Sequence, residues 1–167
     1  MGTLTPILFG QMIIGPAGSG KTTYCHMTME ILQNMNREVI MINLDPDNEN
    51  LPYEANISIS EMVKLQEIME NESLGPNGSF LYCISLLEKN FWWLRNRIFE
   101  EYNRVQEKIV RESSSICRKR SYVIFDCPGQ IELYTNFPKF KEIVRRLLNF
   151  QEENNVCFCF FFFVQLN

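Results

Sequence analysis

The chain reads I-L-F-G-Q-M-I-I-G-P-A-G-S-G-K-T-T-Y-C over residues 7–25, and this stretch decides the fold. Residues 7–14 are apolar and predict a buried strand. A glycine-rich turn follows at Gly15, and the apolar spacing beyond it predicts a helix over residues 21–36. Because the pattern Gly-x-x-x-x-Gly-Lys-Thr stands between a strand and a helix, it indicates a phosphate-binding loop, or P-loop.

The residue types of this loop match the chemistry of phosphate binding. Backbone N–H groups must turn inward around phosphate oxygens, and glycines leave room for that turn. The N-terminus of the following helix adds the positive end of a dipole. Lys21 offers a cation to the β- and γ-phosphates, the Thr22 hydroxyl can ligate Mg²⁺, and Thr23 can reach the α-phosphate. We therefore predict that a nucleoside triphosphate with Mg²⁺ is bound by Gly15, Pro16, Ala17, Gly18, Ser19, Gly20, Lys21, Thr22 and Thr23.

A D-x-x-G pattern ends a second predicted strand, over residues 121–126. Asp126 closes the strand and Gly129 completes the pattern. In P-loop enzymes a carboxylate in this place holds Mg²⁺, usually through water, and the glycine N–H senses the γ-phosphate. We expect these roles for Asp126 and Gly129, and we expect Gln130 to position a water. The alternative is a strand-ending turn in which Gln130 caps a loop.

Asp45 follows another predicted strand, over residues 38–44, which comes between the other two along the chain. The carboxyl ends of parallel strands meet at one edge of a sheet, so Asp45 is expected near the P-loop. There it can orient the attacking water or occupy an outer position around Mg²⁺. The alternative is a turn cap before Pro46.

The remaining pattern alternates strands with helices. Such alternation predicts the α/β class, as a three-layer P-loop NTPase fold with a mainly parallel sheet covered on both faces. The other predicted elements are a capping box at residues 58–61 that opens a helix, a helix-breaking turn at residues 75–78, a long amphipathic helix over residues 81–102, a charged extension over residues 100–120, a helix over residues 137–150 and a last strand over residues 156–164.

Composition narrows the classes of function. With 167 residues, 46% of them hydrophobic, the chain is expected to form one domain over residues 1–167. A net charge of −4 argues against a nucleic-acid binder held by overall charge. The cysteines form no C-x-x-C pair and His26 is the only histidine, so no zinc site is predicted. No apolar run reaches the roughly 20 residues that span a membrane.

Motifs spread along the chain closely resemble those of the GPN-loop GTPases. They occur in the family's order, and the L-P-Y-E stretch within residues 47–54 looks most like the second of the three eukaryotic paralogues. The segments that carry the resemblance are F-G-Q-M-I-I-G-P-A-G-S-G-K-T-T-Y-C at residues 9–25, N-L-D-P at 43–46, G-P-N-G at 75–78 and F-D-C-P-G-Q-I-E-L-Y-T at 125–135.

The resemblance implies more than the residues alone. It implies a SIMIBI-class P-loop GTPase that uses GTP and Mg²⁺ and works as a homodimer or as a heterodimer with a GPN-loop paralogue. The loop of Gly75, Pro76 and Asn77 would reach the partner's nucleotide, so Asn77 would act in trans. The resemblance also implies a role in RNA polymerase assembly and nuclear import, with RNA polymerase subunits or assembly factors as partners. The expected location is cytoplasmic with shuttling to the nucleus, without direct nucleic-acid or membrane binding.

The chain departs from the family pattern near its C-terminus. No N-K-x-D sequence, the loop that distinguishes guanine from adenine, is present, and Gln165 stands where the family usually has aspartate. Residues 99–120 are also longer than the matching family segment. We interpret the domain as incomplete before the guanine-reading loop, so that guanine preference is implied by the resemblance only.

Two other classes of function are open to the sequence. One is a P-loop kinase for a nucleotide or small molecule, which needs an acceptor pocket and an arginine-bearing lid. Arg95 and Arg97 on the predicted long helix, and the basic residues 118–120, have no lid-like setting. The other is a truncated, non-catalytic module that binds a partner protein.

Overall fold

The computed structural model describes residues 8–48, 50–112, 121–130, 132–154 and 156–162. The strands are β1 (Leu8–Ile14), β2 (Glu38–Asn43), β3 (Ile57–Ser58), β4 (Ser121–Asp126) and β5 (Val156–Phe162). The helices are α1 (Lys21–Asn34), α2 (Leu65–Asn71), α3 (Pro76–Lys89), α4 (Phe91–Glu112), α5 (Glu132–Thr135) and α6 (Pro138–Asn154), with a 3₁₀ turn at Ile59–Glu61.

The described strands form one parallel sheet in the order β3-β2-β4-β1-β5. β4 lies between β1 and β2, with Asp126 in register with Ile13 on one side and Asn43 on the other. The carboxyl ends of these three strands therefore meet at one edge of the sheet. Because the P-loop follows β1, the predicted phosphate site and the strand-ending aspartate lie at that same edge, as expected for an open α/β sheet.

Helices cover both faces of the sheet, which confirms the predicted three-layer α/β fold. Alternate residues of β2 belong to different core clusters: Ile40 and Ile42 pack with the cluster that includes residues of α3, α4 and α6, and Met41 packs with the cluster that includes Cys25 of α1. Strands buried on both faces read as continuous apolar runs. Each fully buried aliphatic side chain contributes about 1.5–3 kcal/mol of transfer free energy.

The helix after β1 is shorter than predicted. α1 ends at Asn34 rather than at residue 36, because Asn36 takes a left-handed conformation with a φ of 55° and turns the chain toward β2. Cys25 is buried, as expected for a residue on the inner face. Met35, which falls within the predicted helix, lies beyond the end of the observed one and is 60% exposed.

The predicted capping box is present, but the helix that it opens is a single 3₁₀ turn. The Ser58 side chain accepts from the Ser60 N–H, and the Ser58 N–H donates to Glu61. The α-helix begins only at Leu65, because Lys64 is extended, with φ −104° and ψ 133°. The prediction was therefore right about the cap and wrong about the helix start.

The Gly-Pro-Asn sequence begins a helix rather than forming a free turn. Gly75 is the N-cap of α3 and Pro76 is its first residue, where proline loses no hydrogen bond. The predicted single long helix is in fact two, α3 and α4, which are separated at Asn90. There the backbone leaves helical geometry and the Asn90 side chain donates to the Leu86 carbonyl oxygen at 2.9 Å.

An ion cluster around a buried carboxylate joins the end of α3 to α6. Glu88 is 8% exposed, and its carboxylate accepts from Arg146 at 2.9 Å and from Lys139 at 3.1 Å. The Arg146 guanidinium also donates to the Glu88 carbonyl oxygen and lies over the Phe91 ring. Charged hydrogen bonds of this kind fix the relative position of two helices more firmly than apolar contact alone.

Several predicted features lie wholly or partly outside the described residues. The basic residues 118–120 and Gln165 are among them, as is the end of the last strand beyond Phe162. The C-terminal helix predicted over residues 137–150 is observed as α6, one residue later at its start and four residues longer at its end. No helix of the described segments has the length and apolarity that crossing a membrane requires.

Candidate functional site

The P-loop turns tightly between β1 and α1. Gly18 and Gly20 have φ values of 75° and 86°, a left-handed conformation that costs other residues roughly 1–2 kcal/mol. The Ser19 N–H and hydroxyl both donate to the Pro16 carbonyl oxygen, at 3.3 and 2.8 Å. The first helical bond of α1, from the Tyr24 N–H to the Gly20 carbonyl oxygen, follows directly. The glycines therefore sit where the backbone requires them.

Lys21 lies across the P-loop, as the sequence motif predicts. Its ammonium group donates to the Pro16 carbonyl oxygen at 3.0 Å, and the residue is only 7% exposed. It is also close enough to Asp45 and Asp126 to favour the ionised form of both carboxyls. The buried cation is thus held among the loop backbone and the two candidate carboxylates.

Asp126 is the most enclosed acidic group of the site, at 1% exposed. Its Oδ2 atom accepts a hydrogen bond from the Tyr53 hydroxyl at 2.8 Å, and the side chains of Thr22 and Cys25 lie nearby. Burial raises the pKa of Asp126 above its ordinary value, while Tyr53, Thr22, Lys21 and Cys25 oppose that rise. A bound cation would favour the charged form in the same way.

Gly129 presses against the P-loop. A Cβ atom at this position would lie 2.9 Å from the Ala17 Cα atom and 3.0 Å from the Lys21 ammonium nitrogen. Only glycine fits such a close approach without displacing a neighbour. The Tyr134 hydroxyl stabilises the turn before Gly129 by donating a hydrogen bond to the Pro128 carbonyl oxygen. The D-x-x-G segment is therefore in direct contact with the phosphate-binding backbone.

Asp45 is half-buried in the segment that follows β2. Its Oδ1 atom accepts from the Asp47 N–H at 3.1 Å, and its own N–H donates to Asn43 Oδ1 at 3.1 Å. Burial is the largest influence on the pKa of Asp45 and raises it, and the nearby charge of Asp126 adds to that rise. A carboxylate with a raised pKa accepts a hydrogen bond or a proton from water more readily than an exposed one.

Two residues of the site were not singled out from the sequence. Asn48 donates from its amide to the Thr22 hydroxyl oxygen at 3.1 Å, and Tyr53 donates to Asp126. Asn43 shapes the segment that leads from β2 to Asn48, because its amide donates to the carbonyl oxygens of Asp45 and Asn48. The one sequence signal was the L-P-Y-E stretch, which was noted as a family feature and given no chemical role.

The structure brings most of the predicted site together and leaves part of it apart. Lys21, Thr22, Asp45, Asp126 and Gly129 converge at the carboxyl edge of the sheet, and Gln130 is half-buried directly after them. Thr23 lies exposed on α1. In the described segments, no hydrogen bond or ion pair connects the P-loop to the exposed start of α3, which carries Gly75, Pro76 and Asn77.

The donor set fits Mg²⁺. Hydroxyl and carboxylate oxygens from Thr22, Asp126 and Asp45 are hard ligands, and Mg²⁺ is usually held by one or two carboxylates together with substrate phosphates. No group of three or more histidine, cysteine, aspartate or glutamate residues is positioned as a metal cage in the part of the chain described.

Comparison with known proteins agrees with this geometry. A family model described as "Conserved hypothetical ATP binding protein" matches residues 13–164. A GPN-loop GTPase 2 homolog from Dictyostelium discoideum is 41% identical over 84% of this chain and 39% of its own length. GPN-loop GTPase 2 from Danio rerio is 42% identical over 83% of this chain and 39% of its own length.

A solved structure shares the same fold. The crystal structure of a GTPase in apo form from Pyrococcus abyssi matches with a TM-score of 0.54 and 31% identity, over 82% of this chain and 48% of that chain. GPN-loop GTPase 3 from Danio rerio, at 39% identity, is matched over 89% of this chain and 46% of its own length. The chain thus spans less than half the length of these relatives.

Proposed function

Because the chain belongs to the GPN-loop GTPase family, we propose that it forms the nucleotide-binding part of a GTP-binding and GTP-hydrolysing switch protein that acts as a dimer. The observation that carries this proposal is the convergence of four groups at one edge of the sheet. They are the Lys21 ammonium, the Thr22 hydroxyl, the Asp126 carboxylate and the backbone of Gly129.

Each group then has a defined part in phosphate binding. Lys21 bonds the β- and γ-phosphates, and the backbone N–H groups of the loop surround them. Thr22 and Asp126 would hold Mg²⁺, with Asp45 nearby, and the ion would supply positive charge that offsets the charge of the phosphates. Gly129, already against the loop, can donate its N–H to the γ-phosphate, so that the D-x-x-G segment responds to loss of that phosphate.

Asp45 is proposed to orient the water that attacks the γ-phosphate. The raised pKa of its half-buried carboxyl supports a role as hydrogen-bond acceptor for that water. Gln130 follows Gly129 directly and is proposed to position the same water with its amide. Hydrolysis in P-loop proteins depends on such positioning rather than on covalent chemistry.

The dimer proposal is supported by the start of α3. Gly75, Pro76 and Asn77 are exposed, so the Asn77 amide is available to a nucleotide bound by a second subunit. The partner is proposed to be another copy of the chain or a GPN-loop paralogue. A role in assembly and nuclear import of RNA polymerase, with subunits or assembly factors as partners and cytoplasmic location with nuclear shuttling, rests on the family resemblance alone.

One cavity in the structure bears on the alternative function, a P-loop kinase. An open cavity of about 280 Å³ lies beside the segment after β2, and it has the size of a small acceptor. A kinase acceptor site needs a cation to offset transferred charge, and the lining has none among the described residues. The lining residues are Pro46, Asp47, Asn48, Asn50, Leu65, Gln66 and Met69. This composition favours the GTPase.

Calorimetric titration of the purified chain tests the proposed function. The titrants are non-hydrolysable GTP and ATP analogues, with and without Mg²⁺. We expect magnesium-dependent binding that prefers guanine and is lost in Lys21→Ala but kept in Lys64→Ala, which removes an exposed lysine of an ordinary surface ion pair.

Each other outcome of the titration contradicts part of the proposal. Equal binding of the two analogues would contradict guanine selection by this chain, which carries no N-K-x-D sequence, and would leave the phosphate-binding role of the P-loop intact. In a separate assay with hydrolysable GTP and ATP, phosphoryl transfer to a small acceptor would refute the GTPase in favour of a kinase. Absence of binding by a folded chain would favour a non-catalytic partner-binding module.

A further inference from the structure

Tyr53 makes a long-range contact with the candidate magnesium ligand. Its hydroxyl donates to Asp126 Oδ2 at 2.8 Å across a separation of 73 residues, and both side chains are buried, at 7% and 1% exposed. The Tyr53 ring packs in the core cluster that includes Ile13 and Met41. Apolar packing therefore fixes the position of the Tyr53 ring, and this places the hydroxyl next to one oxygen of the Asp126 carboxylate.

This bond leaves Asp126 able to ligate an ion. An ionised carboxylate has about four lone-pair positions on its two oxygens, so it can accept from Tyr53 and still bind elsewhere. The Thr22 hydroxyl, the other candidate ligand, lies close enough to Asp126 to influence its pKa. The hydrogen bond from the anchored Tyr53 hydroxyl restricts the rotation of the carboxylate. A ligand fixed before the ion arrives binds with a smaller loss of conformational entropy.

The packing around the pair supports the same role. The Asp126 carboxylate is buried, and the Tyr53 hydroxyl reaches it from a ring that the core fixes in place. Tyr53 thus holds a buried carboxylate in one orientation.

We propose that Tyr53 is a positioning residue for the magnesium site, whose hydroxyl holds the Asp126 carboxylate in the orientation that ligates the ion. This role rests on the proposed function, because Mg²⁺ acts here with a bound nucleotide. It differs from a purely structural role in one measurable way. Loss of the hydroxyl affects the metal and leaves the metal-independent part of nucleotide binding unchanged.

Tyr53→Phe tests the role because it removes one oxygen and keeps the packed ring. The full chain is saturated with a non-hydrolysable GTP analogue and titrated with Mg²⁺ by calorimetry, and the analogue is titrated separately in the presence of a chelator. We expect the Mg²⁺ dissociation constant to rise about tenfold, the size expected for one hydrogen bond to a buried charge. The affinity for the analogue without metal stays within about twofold. Tyr82→Phe, on the surface of α3, is the matched control and changes neither value.

A double-mutant cycle with Asp126→Asn identifies the route of the effect. If Tyr53 acts through Asp126, adding Tyr53→Phe to Asp126→Asn produces no further loss of Mg²⁺ affinity. Equal loss of metal-dependent and metal-free binding, with a lower melting temperature, would overturn the role in favour of a structural one.

The remaining outcomes separate this role from the proposed function. An unchanged Mg²⁺ affinity in Tyr53→Phe would overturn the positioning role while the GTPase proposal stands. A complete lack of magnesium-dependent nucleotide binding by the unaltered chain would overturn both.

Discussion

Substitution of Gly129 by alanine tests how closely the D-x-x-G turn must approach the P-loop. The added Cβ would lie 2.9 Å from the Ala17 Cα atom and 3.1 Å from the Ala17 nitrogen. Carbon atoms in good contact are about 3.5–4.0 Å apart, so the overlap is roughly 0.6–1.1 Å. The obstacle is backbone, which cannot rotate away as a side-chain end can. One of the two segments must therefore move.

The size of the effect follows from this displacement. Overpacking of a buried contact costs about 1–3 kcal/mol, and the lower chain entropy of unfolded alanine offsets about 0.4–1 kcal/mol of that. We expect Gly129→Ala to lower the free energy of unfolding by about 1–2 kcal/mol. Moving the turn by half an ångström or more also removes most of one hydrogen bond to a phosphate. That loss corresponds to about a tenfold to hundredfold weaker affinity for the triphosphate.

Urea unfolding and calorimetric titration measure the two effects separately. Gly78→Ala is the matched control, because its Cβ would meet only the Leu74 side chain, at 3.5–3.9 Å. As a helical position in α3 it should gain roughly 0.5–1 kcal/mol of stability and keep nucleotide affinity. Equal stability and equal affinity in the two variants would refute the reasoning, since it would show that the turn and the P-loop need not touch.

Three further predictions concern other parts of the molecule. Asn48→Ala should strengthen Mg²⁺ binding to the nucleotide-loaded chain a few-fold in calorimetry. The reason is that the Asn48 amide donates to the Thr22 hydroxyl oxygen, the same oxygen that would ligate the ion. Weaker Mg²⁺ binding would contradict this prediction. Glu88→Ala should lower the free energy of unfolding, measured with urea, by about 2 kcal/mol, because it leaves two half-buried cations without their buried partner. Glu67→Ala, in an exposed ion pair, is the control and should lower it by less than about 0.5 kcal/mol. Equal losses in the two variants would refute the prediction. Burial raises the pKa of Cys83 to about 11, so at pH 8 its thiolate fraction is about a hundredfold below that of an ordinary thiol, and mass spectrometry should show alkylation of Cys83 only after unfolding.

The parts of the site that are local in sequence could be predicted. The P-loop needs a strand, a glycine turn and a helix within about twenty residues, and the chemistry of Lys21 and Thr22 is carried by the motif itself. The placement of Asp126 and Asp45 followed from one general rule about the carboxyl ends of parallel strands. The contact between Tyr53 and Asp126 could not be predicted, because the two residues lie 73 positions apart and only the folded sheet brings them together.

The errors in helix boundaries have physical causes of the same kind. Apolar residues continue at helical spacing from Leu87 to Phe91 and Leu94, so the spacing of apolar residues does not indicate the break at Asn90. Pro76 was interpreted as a helix breaker, although proline is equally typical of the first helical residue. Whether Pro76 ends a helix or begins one depends on the direction from which the preceding residues approach it. That direction is set by the packing of α3 against α2 and α6.

The ion cluster at Glu88 ties the end of α3 to α6. The rest of α3 is held by burial, because Phe80, Cys83 and Ile84 lie in the core. The exposed Gly-Pro-Asn segment is therefore carried on a helix that is fixed along its length. A molecule that binds there meets a preformed surface and loses less conformational entropy on binding than it would with a flexible turn.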